Sequence, residues 1–393
     1  MEATAPIAHN RRVLVTALGI TQILAWGSSY YLPAVLAAPI AKDTGWSLAS
    51  VVAGLSCGLL LAGLVSPVTG RLIQRHGGRP VLAASSLLLA AAHSLLATAT
   101  DYPLYLVAWL LMGLGMSSGL YDAGFATLGR LYGQGARGAI TNLTLFGGFA
   151  STVCWPLSAF LVEHGGWRIA CLSYAAIHLA VCLPLHLWVI PPPPPVPAPM
   201  KDRSKEASAT GRTRARFILL ASILTLAAMI ASMLSVHLLT LLQLRGVGLA
   251  AAVGLGALIG PSQVGARVAE LLIGRNRHHP IWTMLTSVSL LAAGIWLLLA
   301  SHTFIALALI LYGAGNGIHT IARGALPLVL FDPRQYAALM GKLATPSLIV
   351  QAAAPSIGAL LLGVGGGNLV LSALAVAATI NVGLCACLIS LRR

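Results

Sequence analysis

Long apolar stretches, separated by short charged or Gly/Pro-rich breaks, run along almost the whole chain. A helix that crosses a bilayer needs about 20 mostly apolar residues, and the breaks divide the sequence into runs of that length. The pattern predicts an all-α membrane protein with twelve transmembrane helices in two pseudo-symmetric six-helix bundles. The predicted spans cover 13–38, 47–69, 80–100, 103–130, 139–162, 168–190, 217–243, 248–273, 281–301, 303–330, 337–362 and 367–390.

Composition supports this prediction. Only 8% of the 393 residues are charged, 58% are hydrophobic, and the mean hydropathy is +0.87, whereas a soluble domain has about 25% charged residues. A soluble enzyme is therefore excluded. The net charge of +15 does not indicate nucleic-acid binding, because the cations lie in short clusters between the apolar runs. All six cysteines lie in apolar segments, so a disulfide framework is not expected.

A proline-rich, basic segment divides the chain near its middle. Residues 191–216 begin with five prolines and contain six Lys and Arg residues, so we expect a flexible cytoplasmic linker. The predicted domains are an N-terminal bundle over 1–190 and a C-terminal bundle over 217–393. No nucleotide-binding loop, nucleophile motif or zinc-protease motif is present, and no cofactor is expected.

Lys and Arg are distributed unequally between the alternate loops. With the N-terminus inside, 18 cations lie on the cytoplasmic side, 3 on the outer side and 3 within spans. Positive charge accumulates in cytoplasmic loops, so both termini are predicted to be cytoplasmic. The apolar run after Arg12 is longer than a signal-peptide core and is interpreted as a retained first span. The Ala-rich composition favours a bacterial inner membrane.

The two halves match at an offset of about 200 residues. Pro80 corresponds to Pro280, and Gly113 corresponds to Gly313. Duplicated six-helix halves are a transporter architecture, with the substrate site between the halves near the middle of the membrane.

The stretch Gly70 to Arg79 between spans 2 and 3 resembles the cytoplasmic loop signature of the major facilitator superfamily. It carries Gln74 where Asp is usual, and Trp109 stands where the family's span 4 pattern has Arg. The resemblance covers the whole chain and implies a monomeric secondary transporter that binds a small molecule together with a proton or a counter-anion. It also implies that spans 1, 4, 7 and 10 line the cavity.

Charged residues inside spans are costly and are therefore functional candidates. Span 8 carries Gln263, Arg267 and Glu270 on one face. Gln263 and Arg267 resemble the Asp-x-x-x-Arg of proton-coupled monocarboxylate transporters, and Lys342 resembles the span 11 lysine of oxalate–formate exchangers. A guanidinium and an ammonium suit a small carboxylate. The alternative is that Arg267 and Glu270 form a cytoplasmic gate pair.

Span 10 carries a polar stripe that includes Asn316, His319 and Arg323. By the repeat, Arg323 lies one residue from the position equivalent to Asp122 on span 4, so the two can meet across the cavity. Such a pair either holds the halves together as a static contact or takes part in proton coupling.

Aromatic residues are the remaining candidates for a binding pocket. Trp26 and Tyr30 on span 1, with Tyr121 on span 4, are expected to form its aromatic floor, although such residues equally serve packing. The spacing of His178, Cys182 and His186 is metal-like, but no carboxylate accompanies them, and no metal site is predicted. Further gating candidates are the loop cations Arg71, Arg75, Arg79 and Arg130.

Together these residues predict a secondary active transporter that moves a small organic anion by alternating access. Proton-driven efflux of a drug-like compound or metal chelate is the alternative. A transporter-like receptor would call for a cytoplasmic domain and is less favoured, and an enzyme is not expected. Membrane lipid is an implied partner, and nucleic acid is not.

Overall fold

The computed structural model describes residues 10–192, 206–274 and 278–391. Within these ranges the chain forms α-helices with short 3₁₀ and π turns and no strand, which confirms the all-α prediction. The helices are α1 (Arg11–Ser28), α2 (Pro33–Thr44), α3 (Leu48–His76), α4 (Gly78–Ala97), α5 (Tyr102–Gly119), α6 (Tyr121–Tyr132), α7 (Arg137–Gly148), α8 (Ala150–Ile177), α9 (Leu183–Val189), α10 (Glu206–Gln243), α11 (Leu249–Gly256), α12 (Ile259–Gly274), α13 (Pro280–Ala300), α14 (Ile305–Leu330) and α15 (Tyr336–Ser390).

Nine helical runs in the described part of the chain are long and apolar enough to cross a membrane. The run Tyr102–Val189 contains three predicted spans, and the run Pro333–Ser390 contains two. Sharp kinks at Gly166 (φ +77°) and Gly366 (φ +65°) separate consecutive spans within these runs. Side-chain-bearing residues rarely adopt this conformation. The kinks are 200 residues apart, like the sequence repeat, and the described residues are consistent with twelve spans.

Several spans predicted to be continuous are broken near their middle. Span 1 divides into α1 and α2 before Pro33, which has no N–H to continue the helical ladder. Span 4 divides at Leu120, whose backbone is extended (φ −83°, ψ −169°). Span 5 is interrupted at Phe149 and span 8 between Gly256 and Ile259. These breaks leave backbone carbonyls available to side chains from other helices.

The predicted linker is shorter than expected. Residues 206–216 are the first turns of α10, so this part of the segment is helical. Alanine and arginine are good helix formers, and here they extend the apolar helix that follows. Residues 193–205 of the predicted linker lie outside the described residues.

The side of the molecule on which α1 and α10 begin is called the linker side, and the opposite side is called the far side. Near the linker side, residues of α1, α6 and α7 share one apolar core with residues of α10, α14 and α15. Towards the far side, one core consists of buried residues from Ala25 to Tyr174 together with Ala352, and another consists of buried residues from Ile230 to Ala378. The two halves of the chain are thus most extensively joined on the linker side.

Glycine residues bring helices of the two halves into close contact on the linker side. α3 packs against α15, and α7 packs against α12. Gly70 of α3 lies against Gly341 of α15, and a Cβ atom at Gly341 would meet the backbone carbonyl of Ser66. The absence of side chains at these positions is therefore what permits the helices to approach so closely.

Candidate functional site

Arg267 is a buried guanidinium between the two halves of the chain. It is 4% exposed, on α12, two turns before the linker-side end of the helix. Its Nε donates to the Gly317 carbonyl (3.2 Å) and its Nη2 to Thr320 Oγ1 (3.1 Å), both on α14. Its Nη1 donates to the Thr144 carbonyl on α7 of the other half (2.9 Å).

All three acceptors of Arg267 are neutral. Among the described residues, no carboxylate forms an ion pair with this guanidinium. Three of its five N–H groups are used, so two donors remain. Burying a charge without an opposite charge is unfavourable, and the arrangement would gain stability from an anion at this position.

Aromatic rings form a continuous cluster next to Arg267. Trp26 lies 5.4 Å from Tyr30, 6.1 Å from Tyr31 and 5.1 Å from Tyr121, measured between ring centroids. Tyr121 also donates to the Thr144 carbonyl (3.3 Å), the acceptor that Arg267 uses. The structure therefore brings the three predicted aromatic residues together and places them beside the cation.

Gln22 fixes the orientation of the cluster. It is completely buried, and its Nε2 donates to the Gly119 carbonyl (2.6 Å), which the break at Leu120 leaves without a helical partner. Its Oε1 accepts from Trp26 Nε1 (3.2 Å). The indole ring is thus tied to the broken part of span 4.

Asp122 and Arg323 form an ion pair between the halves, as the repeat predicts. Arg323 Nη2 lies 2.6 Å from both carboxylate oxygens, and the side chains are 15% and 19% exposed. Tyr336 is close enough to interact electrostatically with both groups, and its hydroxyl donates to the Gly324 carbonyl (2.7 Å). A small cavity beside Asp122 is lined by the hydroxyl-bearing residues Ser66, Thr69 and Ser117.

Glu270 does not pair with Arg267. It lies 3.5 Å from Arg137 Nη2 of the other half and 3.5 Å from His278 Nε2, and it accepts from Thr283 Oγ1 (2.9 Å). The predicted Arg267–Glu270 pair is therefore wrong, because Arg267 points towards the middle of the span while Glu270 turns to the linker-side loop. An inter-half contact on the linker side is still present, with Arg137 as the partner of Glu270.

Lys342 is separated from Arg267. Its side chain is exposed, although the neighbouring Gly341 is buried against α3. The prediction that the two cations face each other is not supported. Gly341 lies on the face of α15 that packs against α3, and the adjacent Lys342 points to the exposed surface. Of the other predicted residues, Gln263 lies half-buried one turn from Arg267, and Asn316 is half-buried on α14.

Histidines account for several buried polar groups. His319 is 7% exposed, and its Nδ1 has no hydrogen-bond partner in the part of the chain that the structure describes. It lies within electrostatic reach of Arg323. His178 bonds Ser28 Oγ (2.8 Å), and His186 bonds Ser86 Oγ (2.9 Å). Within the described ranges no group of three potential ligands has a metal-binding arrangement.

The family model of the Major Facilitator Superfamily matches residues 18–277. The chain belongs to this superfamily. It is an integral membrane protein and a secondary transporter, not an enzyme. No curated protein sequence matches it.

Two solved transporter structures share the superfamily fold. The human organic anion transporter MFSD10 (TETRAN) has a TM-score of 0.76 at 17% identity, covering 96% of this chain and 99% of its own. A point variant of the Escherichia coli fucose:proton symporter FucP has a TM-score of 0.70 at 14% identity, covering 95% and 97%. At these identities the likeness concerns the fold.

The superfamily loop signature lies on the linker side in this chain. Gln74 Nε2 donates to the Arg334 carbonyl of the other half (2.5 Å), and Arg130 Nε donates to the Gln74 carbonyl (3.3 Å). An Asp at position 74 would have no N–H to donate. The remaining loop cations are the exposed Arg71 and Arg75 and the half-buried Arg79. None of them forms an ion pair with a described residue.

Three residues that the structure places at the candidate site were not predicted from the sequence. Thr144 bonds Arg267, Tyr336 lies beside the ion pair, and Trp155 contacts Tyr31 with ring centroids 6.2 Å apart. Thr144 acts through its backbone carbonyl, which no side-chain pattern reveals. Trp155 was detectable, because its spacing from Gly148 would place both residues on one face of the continuous span that the sequence predicts.

Proposed function

We propose that the chain transports a small organic anion by alternating access, coupled to protons or to a counter-anion. The observation that carries this proposal is Arg267, a buried cation whose acceptors among the described residues are all neutral and which has two further N–H groups to donate. A carboxylate or sulfonate would supply the missing charge and accept from the guanidinium. Further polar groups that are buried or half-buried are provided by Gln22, Gln263, Asn316 and His319.

Other features support the proposal. MFSD10, which shares this fold, is an organic anion transporter, and Gln263 and Arg267 on span 8 resemble the motif of proton-coupled monocarboxylate transporters. Asp122 and Arg323 are the proposed coupling or gating pair. The contact of Glu270 with Arg137 and the loop around Arg130 are proposed to keep the linker side closed. Lys342 is left out of the binding site.

The proposed number of spans, domain limits and orientation rest on the sequence. We place six spans before residue 191 and six after residue 216, in two bundles joined by the linker. The distribution of 18 cations against 3 supports an orientation in which the linker and both termini are cytoplasmic. A monomer in a bacterial inner membrane remains the proposed form.

The test is anion binding by the purified full-length protein. A panel of mono- and dicarboxylates is measured by calorimetry with wild type, Arg267→Lys and Arg267→Gln. Loss of a charge-assisted contact costs about 1.5–3 kcal/mol, or roughly 10- to 150-fold in affinity. Arg267→Lys keeps the charge and loses the planar fork, so it should bind more weakly than wild type but more tightly than Arg267→Gln.

Lys342→Gln is the matched control, because Lys342 is the second cation that the sequence proposed for the site and its side chain is exposed. It should bind normally. If both Arg267 variants bind the best ligand like wild type, the anion assignment fails. The alternative would then be proton-driven efflux of a drug-like compound or metal chelate, centred on Asp122.

A further inference from the structure

A recess on the far side leads to the aromatic cluster. Its volume is about 450 Å³, within the range of small-molecule pockets. Most of its surface is apolar, with two hydroxyl groups and one indole ring. The lining residues are Ala34, Val35, Ser151, Thr152, Trp155, Pro156 and Ala159.

Two rings meet at nearly a right angle where the recess approaches the cluster. Trp155 is 44% exposed, and its plane lies at 88° to that of Tyr31. Tyr31 in turn packs edge-on against Tyr30, with centroids 5.3 Å apart. Two perpendicular rings form a corner in which a third ring can stack on one and present its edge to the other, the two arrangements that aromatic pairs prefer.

Arg267 lies beside the span that carries Trp155. Its guanidinium packs against Gly148, where a Cβ atom would collide with Nη1, and it interacts electrostatically with Tyr31. Trp155 lies seven residues after Gly148, beyond the interruption at Phe149, and seven helical residues rise about 10 Å. The aromatic corner and the cation are therefore separated by the length of a small conjugated acid.

From this arrangement we infer that the transported anion carries a planar aromatic group, which packs in the corner of Tyr31 and Trp155 while its acidic group binds Arg267. The inference rests on the proposed function and narrows its substrate class. An apolar recess alone would accept an aliphatic chain equally well. The perpendicular rings next to an unneutralised guanidinium are what favour an aromatic acid.

Three matched probes separate the aromatic group from the charge. The full-length protein is titrated with 2-naphthoate, its saturated counterpart decahydro-2-naphthoate, and neutral 2-naphthamide. Two aromatic contacts of ordinary strength predict at least about 5-fold tighter binding of 2-naphthoate than of the saturated acid. 2-Naphthamide should bind at least about 10-fold more weakly than 2-naphthoate.

Each outcome has a distinct meaning. Equal binding of the two acids would overturn the aromatic inference and leave the anion proposal standing. Equal binding of 2-naphthoate and 2-naphthamide would overturn the anion proposal itself. If neither acid binds, while a small aliphatic acid from the panel does, the aromatic inference is wrong and the anion proposal survives.

Variants locate the aromatic contact. Trp155→Leu and Tyr31→Leu should each abolish the preference for 2-naphthoate over the saturated acid, because the aromatic contact is lost while an apolar side chain remains. Phe160→Leu is the control, because Phe160 is an exposed ring on the same helix outside the recess. A preference that persists in both Trp155→Leu and Tyr31→Leu would overturn the assignment to this corner.

Discussion

Asp122 accepts two hydrogen bonds from the same nitrogen of Arg323, each 2.6 Å long, and the two residues belong to different halves of the chain. The pair connects α6 with α14 on the linker side of the aromatic cluster. Any movement that separates the halves here must break an ion pair that is mostly shielded from water. The pair is therefore positioned to respond to protonation or to an incoming ligand.

The first prediction concerns this pair. Asp122→Asn and Arg323→Gln should each lower stability, because each leaves one shielded charge without its partner. Breaking a buried pair costs about 3–5 kcal/mol, and the residual exposure of these side chains places the expected loss near the lower limit. The double variant should recover most of it. Thermal unfolding of the purified protein, together with expression yield, measures the effect.

The exposed pair of Asp43 and Arg168 is a suitable control. Their side chains are 48% and 42% exposed, and exposed ion pairs contribute little to stability. Asp43→Asn should therefore change the unfolding temperature little. If the Asp122→Asn and Arg323→Gln losses simply add in the double variant, the two groups do not interact energetically.

The second prediction concerns closure of the linker side. A methyl group in Gly341→Ala would collide with the Ser66 carbonyl, so α3 and α15 must move apart. Cys introduced at Ser117, which lines the small cavity beside Asp122, should then react several-fold faster with an alkylating reagent.

Gly363→Ala on the same helix controls for helix propensity, because a methyl group there meets no atom within 4 Å. Unchanged labelling in Gly341→Ala, with normal folding, would show that this glycine contact does not hold the linker side closed.

The third prediction concerns the position of the guanidinium. Gly148→Ala should displace Arg267, because the new methyl group would occupy the space of its Nη1. We expect anion affinity to fall about 10-fold, as for loss of one charge-assisted contact, while the preference for aromatic acids is retained. Gly254→Ala serves as the control, because its new methyl group would meet no atom of the described residues within 4 Å. Wild-type affinity in Gly148→Ala would mean that the guanidinium position is not critical.

The fourth prediction concerns orientation. Single cysteines replacing exposed Arg75 and exposed Asp101 lie on the linker side and the far side, respectively. If the linker is cytoplasmic, a membrane-impermeant maleimide added to intact cells should label the Asp101→Cys variant only. A background without native cysteines is required, since Cys387 is exposed. External labelling of the Arg75→Cys variant would contradict the orientation.

The sequence was sufficient to predict features that depend on hydropathy and on duplication. Apolar runs define the spans, and the repeat offset brings Asp122 opposite Arg323. The direction in which a side chain points from its helix was harder to predict. Lys342 and Glu270 lie on predicted spans, but the close approach of α15 to α3 and the position of Arg137 determine where they point. The helix breaks at Leu120 and Phe149 also carry no strong sequence signal.

Two of the three acceptors of Arg267 are backbone carbonyls, from Gly317 and Thr144. Every residue type keeps its backbone carbonyl, so replacing Thr144 cannot delete this contact, and replacing Gly317 is restricted because a Cβ atom there would collide with the backbone of Gln263. The rings and small residues of the recess act through their side chains, so a single replacement can change each of these contacts. Divergence within this lineage would therefore alter the shape of the accepted molecule sooner than its charge. Relatives with different ligands should differ first around Tyr31 and Trp155.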